Sequence, residues 1–203
     1  MNIVKTRFAP SPTGYLHIGG ARTALFAWLY AKSNQGACIL RIEDTDKERS
    51  KEEYTKEIIK SFQWLGINFD GEVIYQSNNF DRYNEVINTL IKNGSAYVCN
   101  CSKDRLSELR KAQESKGQNP KYDGKCRELN LERSEETVVR FKFPQDGTTK
   151  FTDIVKGDIE VKNSELDDFI IERTDGAATY NLCVVVDDID SNISHVIRGD
   201  DHV

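Results

Sequence analysis

A proline- and glycine-rich stretch near the amino end limits most strongly what this chain can fold into. Residues 7–20 read Arg-Phe-Ala-Pro-Ser-Pro-Thr-Gly-Tyr-Leu-His-Ile-Gly-Gly, between a short apolar run and a helical pattern. Pro10 and Pro12 fix the direction of the backbone, whereas Gly19 and Gly20 remove side chains where a ligand would otherwise collide. A helix that begins near Gly19 would direct amide N–H groups at an anion. The stretch predicts a strand-to-helix turn, either purely structural or nucleotide-binding.

The common phosphate-binding motifs do not occur in this chain. Neither Gly-x-Gly-x-x-Gly nor Gly-x-x-x-x-Gly-Lys-Ser/Thr is present. A nucleotide bound at the stretch 7–20 would therefore be held by His17 and the glycines rather than by a P-loop lysine.

Alternating strand and helix patterns in the first part of the chain predict a parallel sheet. The apolar spacing predicts a strand, a helix, a buried strand and a second helix at 4–8, 20–33, 37–42 and 50–65. Ser50 and Glu53 form a capping-box pattern at the start of the second helix, and Gly66 follows its end. Because consecutive parallel strands need crossover connections, the order predicts an α/β fold.

The character of the sequence changes after this region and changes back near residue 180. A helix is predicted at 80–91, and short strands at 137–143, 151–161 and 168–173. Cys38 and Cys183 lie in apolar, strand-like runs, which predicts that both are buried. The segment 79–179 is therefore predicted to be an insertion in a doubly wound fold, whose core resumes at Tyr180.

Four stretches resemble the bacterial glutamyl-tRNA synthetase family, a branch of the class I aminoacyl-tRNA synthetases. His17-Ile-Gly-Gly20 is similar to the His-Ile-Gly-His signature of the class. The run Arg41-Ile-Glu-Asp-Thr-Asp-Lys-Glu-Arg-Ser50 narrows the resemblance to the glutamate enzymes, and Tyr180-Asn-Leu-Cys-Val-Val-Val-Asp-Asp188 repeats it. The resemblance extends through His195-Val-Ile-Arg-Gly-Asp-Asp-His202 and covers essentially the whole chain.

The resemblance implies a Rossmann-like, doubly wound parallel sheet interrupted by an α+β insertion that binds the tRNA acceptor end. The implied domains are the first half of the catalytic core at 1–78, the insertion at 79–179, and the resumed core at 180–203. The implied activity is that of a glutamate–tRNA ligase, which uses ATP and Mg²⁺ to activate glutamate and transfers it to the 3′ end of tRNA(Glu).

The residues themselves allow a site for an acidic amino acid. A carboxylate pairs well with the fork of an arginine guanidinium, and an ammonium group needs an acid. Arg7 and Arg198 stand at the ends of apolar runs, and Glu43 follows a buried strand. From the residues alone, an ordinary surface ion-pair network is the favoured explanation of Arg7, Arg41, Glu43 and Asp44.

Carried over by position, the resemblance implies two sets of binding residues. The implied glutamate site consists of Arg7, Ala9, Ser11, Glu43, Tyr180 and Arg198. The implied ATP site consists of Thr13, His17, Gly19, Gly20 and Asp201, among which His17, Gly19 and Gly20 are the catalytic group. Two positions depart from the family pattern, since Val184 stands where some members have asparagine and Asp200 where glutamate is usual.

Three cysteines have a spacing that the family uses for structural zinc. Cys99, Cys101 and Cys126 supply three thiols, which suit tetrahedral Zn²⁺. The fourth ligand is either Glu128, two residues after the third cysteine, or Tyr122, four residues before it. Three reduced thiols without metal are the alternative.

Charge and composition constrain the partners. The net charge is −5, so a tRNA partner requires a local basic surface, and residues 99–128 carry eight Lys/Arg against five Asp/Glu. This excess also fits a solvated face of mixed charge. No apolar run is long enough to span a bilayer and no secretory signal pattern begins the chain, so a cytoplasmic protein without a membrane partner is expected.

The second signature of the class, Lys-Met-Ser-Lys-Ser, is not found in the sequence. The expectation is therefore an amino-terminal fragment that lacks this loop and the anticodon-binding domain, with weak or no activity alone. A glutamyl-queuosine tRNA(Asp) synthetase is one alternative, favoured by Tyr122 and the short chain. A non-catalytic module that binds the tRNA acceptor end is the other.

Overall fold

The computed structural model describes residues 3–46 and 48–199. The elements in chain order are β1 (Lys5–Phe8), α1 (Ile18–Ser33), β2 (Ala37–Ile42), α2 (Glu52–Trp64), β3 (Ile74–Tyr75), α3 (Phe80–Lys92), β4 (Ala96–Cys99), α4 (Lys103–Glu114), β5 (Val138–Phe141), β6 (Thr148–Asp153), β7 (Gly157–Lys162), β8 (Ile170–Glu172) and α5 (Tyr180–Asp190). Short 3-10 turns at Gln76–Asn78 and Asn163–Glu165 complete the set.

The chain divides into two compact units. The parallel-sheet unit comprises Met1–Phe80 and Cys183–Val203, and the insertion unit comprises Asp81–Leu182. The sequence-based boundaries for the insertion were 79–179, and the binding role given to it stays a prediction.

The parallel-sheet unit is built on three strands in the order β1-β2-β3, all parallel. Lys5 to Phe8 pair with Ala37 to Leu40, and α1 and α2 form the crossovers. Its core joins residues of both helices with the sheet: Phe8, Ala24, Leu40, Ile42, Ile58, Phe62 and Ile67. The prediction of a parallel α/β arrangement is confirmed.

Close packing at the start of β2 depends on a glycine. A Cβ on Gly36 would lie 2.0 Å from the carbonyl oxygen of Val4, so no larger residue fits without a shift of the backbone. The same carbonyl accepts the amide of Ala37 at 2.9 Å, which aligns β2 beside β1.

The insertion unit contains antiparallel sheets. Strands β4, β5 and β8 form one sheet, and β6 and β7 form a separate hairpin. The predicted helix at 80–91 and the predicted strand regions at 137–143, 151–161 and 168–173 all appear. Helix α4 and strands β3 and β4 had no counterpart in the sequence-based prediction.

Two local predictions are wrong. The capping box at Ser50 does not form, because α2 begins at Glu52 and its N-cap, Lys51, makes no side-chain cap bond. Glu53 instead accepts the hydroxyl of Tyr15 at 3.4 Å. The strand-like run around Cys183 is helix α5, although Cys38 and Cys183 are both fully buried as predicted.

None of the helices within the described residues is both long enough and apolar enough to cross a membrane.

Candidate functional site

The proline loop that follows β1 is tied to the segment after β2 by backbone hydrogen bonds. The amide of Glu43 donates to the carbonyl of Pro10 at 2.9 Å, and the amide of Lys51 donates to that of Pro12 at 3.1 Å. Pro12 is itself fully buried. These bonds hold the loop at the carboxyl ends of β1 and β2, where parallel sheets place their ligand contacts.

The loop ends at the N-terminus of α1, and His17 is the N-cap residue. The amide of Gly20 donates to Nδ1 of His17 at 3.4 Å, while the imidazole remains exposed to solvent. A Cβ on Gly19 would lie 3.0 Å from Cε1 of His17, and one on Gly20 would lie 3.0 Å from the side chain of Leu16. The glycines thus allow the imidazole to fold back over the first turn of α1.

A buried ionic network lies at the end of β1 and β2. The side chain of Arg41 is 0% exposed, and its guanidinium contacts Oε1 of Glu43 at 3.2 Å, Oδ1 of Asp188 at 2.5 Å and Oδ2 of Asp187 at 3.7 Å. Burial of a charge is costly unless opposite charges and hydrogen bonds surround it, and here three carboxylates do so. This network is buried, so the alternative of a surface network is wrong for Arg41 and Glu43.

Helix α5 supplies two of these carboxylates from adjacent positions. Asp188 also binds Nε of Arg7, with Oδ1 at 3.1 Å and Oδ2 at 3.2 Å. Asp187 accepts the side-chain amides of Gln76 at 2.8 Å and Asn79 at 2.9 Å. Asp44, the fourth residue of the suggested surface network, instead binds Ser77 through its side chain.

The environment of Glu43 changes its titration. Burial raises the pKa of its carboxyl group from 4.5 to about 7, although the guanidinium groups of Arg41 and Arg7 act in the opposite direction. A cation bound next to Glu43 would favour the ionised form and lower this pKa again. A buried acid whose pKa is strongly shifted is a common property of binding and catalytic sites.

The structure thus brings two predicted glutamate-site residues, Arg7 and Glu43, into one network. Ala9 is half-buried in the loop, and Ser11 and Thr13 lie exposed in it. Tyr180 is the first residue of α5 and lies in the insertion unit, and Arg198 is exposed in the segment after α5. Asp201, predicted to face ATP, lies outside the described residues.

Sequence reasoning did not assign a site role to Arg41, Asp187 or Asp188. One signal was available, because Arg41 is a charged residue inside the apolar run Ala37–Ile42 and a buried strand position requires a partner for it. Nothing in the local sequence indicates that the partner lies 147 residues away.

The three predicted zinc cysteines converge in the insertion unit. The sulfur atoms of Cys99, Cys101 and Cys126 lie within 4.8 Å of one another, and the Sγ atoms of Cys101 and Cys126 are 3.6 Å apart. The hydroxyl of Tyr122 is 3.4 Å from the Sγ atoms of both Cys99 and Cys101 and accepts the amide of Cys126 at 3.0 Å.

This donor set fits a tetrahedral zinc ion. Zn–S bonds of roughly 2.3 Å place ligand sulfurs about 3.8 Å apart in a tetrahedron, close to the Cys101–Cys126 separation. Burial opposes ionisation of Cys99, but the Tyr122 hydroxyl, a backbone amide and the Arg140 guanidinium together lower the pKa of its thiol to about 7. A thiolate is the form that binds metal.

Glu128, the other candidate for the fourth ligand, does not join this cluster. Its side chain is 80% exposed, and its carboxylate pairs with Nζ of Lys142 at 2.8 Å. The residue therefore points its charge at a surface partner, whereas Tyr122 lies among the thiols.

Comparison with known proteins identifies relatives over the full length of the chain. Residues 3–203 match the family model described as tRNA synthetases class I (E and Q), catalytic domain. The glutamate–tRNA ligase of Francisella tularensis subsp. novicida is 59% identical over 203 residues, which are 99% of this chain and 43% of that protein. The glutamate–tRNA ligase of Oleidesulfovibrio alaskensis is 57% identical over 203 residues, with shares of 100% and 44%.

Solved structures agree with these relatives. The crystal structure of a glutamate tRNA ligase from Elizabethkingia meningosepticum, in complex with its amino acid, superposes with a TM-score of 0.85 at 34% identity. The match covers 98% of this chain and 44% of that one. The chain thus spans less than half the length of the relatives that it matches.

Proposed function

The chain belongs to the class I tRNA synthetase (E and Q) family, and on this premise we propose that it is the part of a glutamate–tRNA ligase that binds glutamate, ATP and the acceptor end of tRNA(Glu). In the reaction, the α-carboxylate of glutamate attacks the α-phosphorus of ATP. Glutamyl-adenylate forms and pyrophosphate leaves. A hydroxyl of the 3′-terminal adenosine of tRNA(Glu) then attacks the activated carbonyl, and AMP leaves.

The observation that carries the proposal is the placement of Arg7 and an acid, Glu43, in one buried ionic network at the ends of two adjacent parallel strands, with Arg7 bound to Asp188 and Glu43 bound to Arg41. A guanidinium suits a carboxylate of the substrate, and Glu43 suits its ammonium group. We assign Ala9, Ser11, Tyr180 and Arg198 to the same amino-acid site, from the family positions.

The N-terminus of α1 suits the phosphates of ATP. Its first-turn amides carry partial positive charge, and the exposed imidazole of His17 adds a donor beside them. We propose that His17, Gly19 and Gly20 stabilise the transition state in which the glutamate carboxylate attacks the α-phosphorus of ATP. Catalysis of this step depends mainly on positioning the reactants and stabilising charge on the phosphates. Thr13 and Asp201 complete the ATP assignment, and Mg²⁺ would neutralise charge on the phosphates.

The insertion unit is proposed to bind the tRNA acceptor end. Of the basic residues in 99–128, Arg127 is paired with Asp168 at 2.7 Å, so its charge is neutralised inside the unit. Five lysines in this range lie on the surface and can face phosphates: Lys103, Lys111, Lys116, Lys121 and Lys125. A zinc ion held by Cys99, Cys101, Cys126 and Tyr122 would fix the loops beside this surface.

Binding of L-glutamate to this chain, measured by isothermal titration calorimetry, tests the proposal. L-Glutamate is expected to bind, and L-glutamine and L-aspartate to bind at least about tenfold more weakly, because each leaves a polar group of the site unpaired. Arg7→Gln should abolish this preference. Binding that does not distinguish the three amino acids would overturn the proposal.

The position of Tyr122 at the thiol cluster favours a second candidate, a glutamyl-queuosine tRNA(Asp) synthetase. The two are separated by glutamate-dependent ATP–pyrophosphate exchange with and without tRNA(Glu). Exchange that needs tRNA supports the ligase, and exchange with free glutamate supports the queuosine enzyme. Salt-dependent tRNA binding without any ATP or glutamate binding would instead indicate a non-catalytic module.

A further inference from the structure

One carboxylate, Asp188, holds two arginines in the parallel-sheet unit. Its Oδ1 contacts Nη1 of Arg41 at 2.5 Å, and both its oxygens contact Nε of Arg7. Two guanidinium groups in a buried region repel each other unless an anion lies between them. Asp188 therefore determines where both arginines can sit.

The contact on Arg7 uses only one edge of its guanidinium. Asp188 accepts the Nε–H, and no hydrogen bond from either Nη atom is found within residues 3–46 and 48–199. A bidentate arginine–carboxylate pair needs two parallel N–H groups. The two Nη atoms of Arg7 can supply such a pair to a second carboxylate, while Asp188 keeps the group from rotating.

Glu43 is held at both of its ends. Its carboxylate accepts Nη2 of Arg41 at 3.2 Å, and its backbone amide is bound by the proline loop. Arg41 in turn is fixed by Asp188 and Asp187. The orientation of Glu43 thus depends on a guanidinium that is buried beneath it and exposes no atom to solvent.

We propose that Asp188 and Arg41 are positioning residues for the acidic amino acid, Asp188 by presenting the Nη edge of Arg7 to a substrate carboxylate and Arg41 by holding Glu43 towards the substrate ammonium group. This inference rests on the proposed function, because it takes Arg7 and Glu43 as the groups that contact glutamate. Neither Asp188 nor Arg41 contacts the substrate in this arrangement.

A purely structural role for the same network makes a different prediction. The network also attaches α5 to β1 and β2, so its loss could simply reduce the folded fraction. In that case the affinities for glutamate and ATP would fall together. A positioning role lowers the affinity for glutamate and leaves that for ATP unchanged, because the ATP contacts are assigned to the N-terminus of α1.

The experiment compares Asp188→Asn and Arg41→Lys with a matched control, Asp70→Asn. Asp70 lies in the same unit and also joins a helix to β2, through Lys32 and the amide of Cys38, both at 2.8 Å. Glutamate and ATP binding are measured by calorimetry and folding by thermal unfolding. If Asp188→Asn does not fold, Asp188→Glu, which keeps the charge and moves the carboxylate by one methylene, replaces it.

Both network variants are expected to bind glutamate at least about tenfold more weakly. Asn at position 188 cannot reproduce the arginine–carboxylate geometry, and Lys at position 41 lacks the guanidinium fork. Their ATP affinity and that of Asp70→Asn should equal the wild type. The Nε–H resonance of Arg7 in ¹H–¹⁵N spectra should move in Asp188→Asn even without ligand.

Three outcomes would overturn the inference. Wild-type glutamate affinity in folded Asp188→Asn and Arg41→Lys would do so and leave the proposed function intact. Equal losses of glutamate and ATP affinity would indicate the structural role alone. A wild-type chain that binds no glutamate would overturn the proposed function and the inference with it, whatever the spectrum of Arg7 shows.

Discussion

At the scale of single residues, the buried carboxyl group of Glu43 makes stability depend on pH. Its pKa is 4.5 in an unfolded chain and about 7 in the folded one, because burial outweighs the attraction of Arg41 and Arg7 and Asp188 adds to the rise. As pH rises from 4.5 to 7, Glu43 loses its proton in the unfolded chain before it does so in the folded one. The contribution of Glu43 to folding stability therefore falls over this range and is constant above pH 7. Glu43→Gln removes this loss and should be up to about 3 kcal/mol more stable than the wild type at pH 8.

Urea unfolding at pH 4.5 and pH 8 measures the difference. The two proteins should approach equal stability at the acidic end. Glu57→Gln, which removes an exposed acid that pairs with Lys60 at 3.1 Å, is the control and should show no such trend. A stability difference for Glu43→Gln that is the same at both pH values would contradict the pKa assignment.

The fourth ligand of the thiol cluster can be decided by two substitutions. Tyr122→Phe removes one oxygen from the cluster, and we expect it to weaken zinc binding by about tenfold to a hundredfold, the range typical for loss of an orienting or ligating group. Glu128→Gln should bind zinc like the wild type, since its carboxylate is engaged with Lys142. Competition with a chromophoric chelator measures the zinc affinity of each variant. Weaker zinc binding by Glu128→Gln than by Tyr122→Phe would identify Glu128 as the ligand.

The sequence could indicate which residue types a glutamate site needs, but not how they are fixed. Arg7 and Glu43 were identifiable because each follows or ends an apolar strand pattern. Asp188 could not be identified, because its effect depends on the approach of α5 to β1, a contact between segments 181 residues apart. Likewise, the sequence does not distinguish Tyr122 from Glu128 as the fourth zinc ligand, because they lie on opposite sides of Cys126. The fold distinguishes them, because it places only Tyr122 among the thiols.

At the scale of elements, His17 combines two roles at the start of α1 that substitution can separate. Its Nδ1 caps the helix through Gly20, and its imidazole is proposed to face ATP. Asparagine is among the best N-cap residues and alanine is poor, so His17→Ala should lose about 1 kcal/mol of stability and His17→Asn little. Both should lose ATP-dependent pyrophosphate exchange, because neither carries an imidazole.

Urea unfolding and the exchange assay are to be made on the same preparations of the two variants. Activity retained by His17→Asn but lost by His17→Ala would show that the residue acts only as a helix cap. Wild-type stability of His17→Ala would instead show that the 3.4 Å bond contributes nothing to α1.

Helices α4 and α5 show where periodicity stops being informative. The run Tyr-Asn-Leu-Cys-Val-Val-Val in α5 is apolar and β-branched, which favours a strand, yet tertiary packing makes it a helix. Helix α4 buries no residue fully, and its half-buried leucines, Leu106 and Leu109, form an apolar stripe too short to detect. Local contacts add to its stability: the side chain of Ser102 caps the amide of Arg105 at 3.3 Å, and Arg110 pairs with Glu114.

At the scale of the whole molecule, the parallel pairing of β1 and β2 was predictable, because a crossover through α1 leaves few alternatives. Strand β3 was not predictable, because it has only two residues and no strand pattern of its own. The insertion unit was harder to predict. Its strands β4 and β5 pair across about forty residues that contain α4 and two of the three clustered cysteines, and such long-range antiparallel pairing has no local pattern.

Zinc removal should loosen one unit and leave the other intact. Cys99, Tyr122 and Cys126 are part of the apolar cluster of the insertion unit, next to β4, so a metal bound there contributes to folding of that unit. After zinc is removed with a chelator, amide hydrogen exchange at Val98 and Val139 should accelerate at least about tenfold. Exchange in β2 should not change, because its core contains no part of this cluster. A Cys99→Ser variant, already impaired in metal binding, should show little response to the chelator. Faster exchange in β2 after zinc removal would contradict the prediction that only the insertion unit depends on zinc.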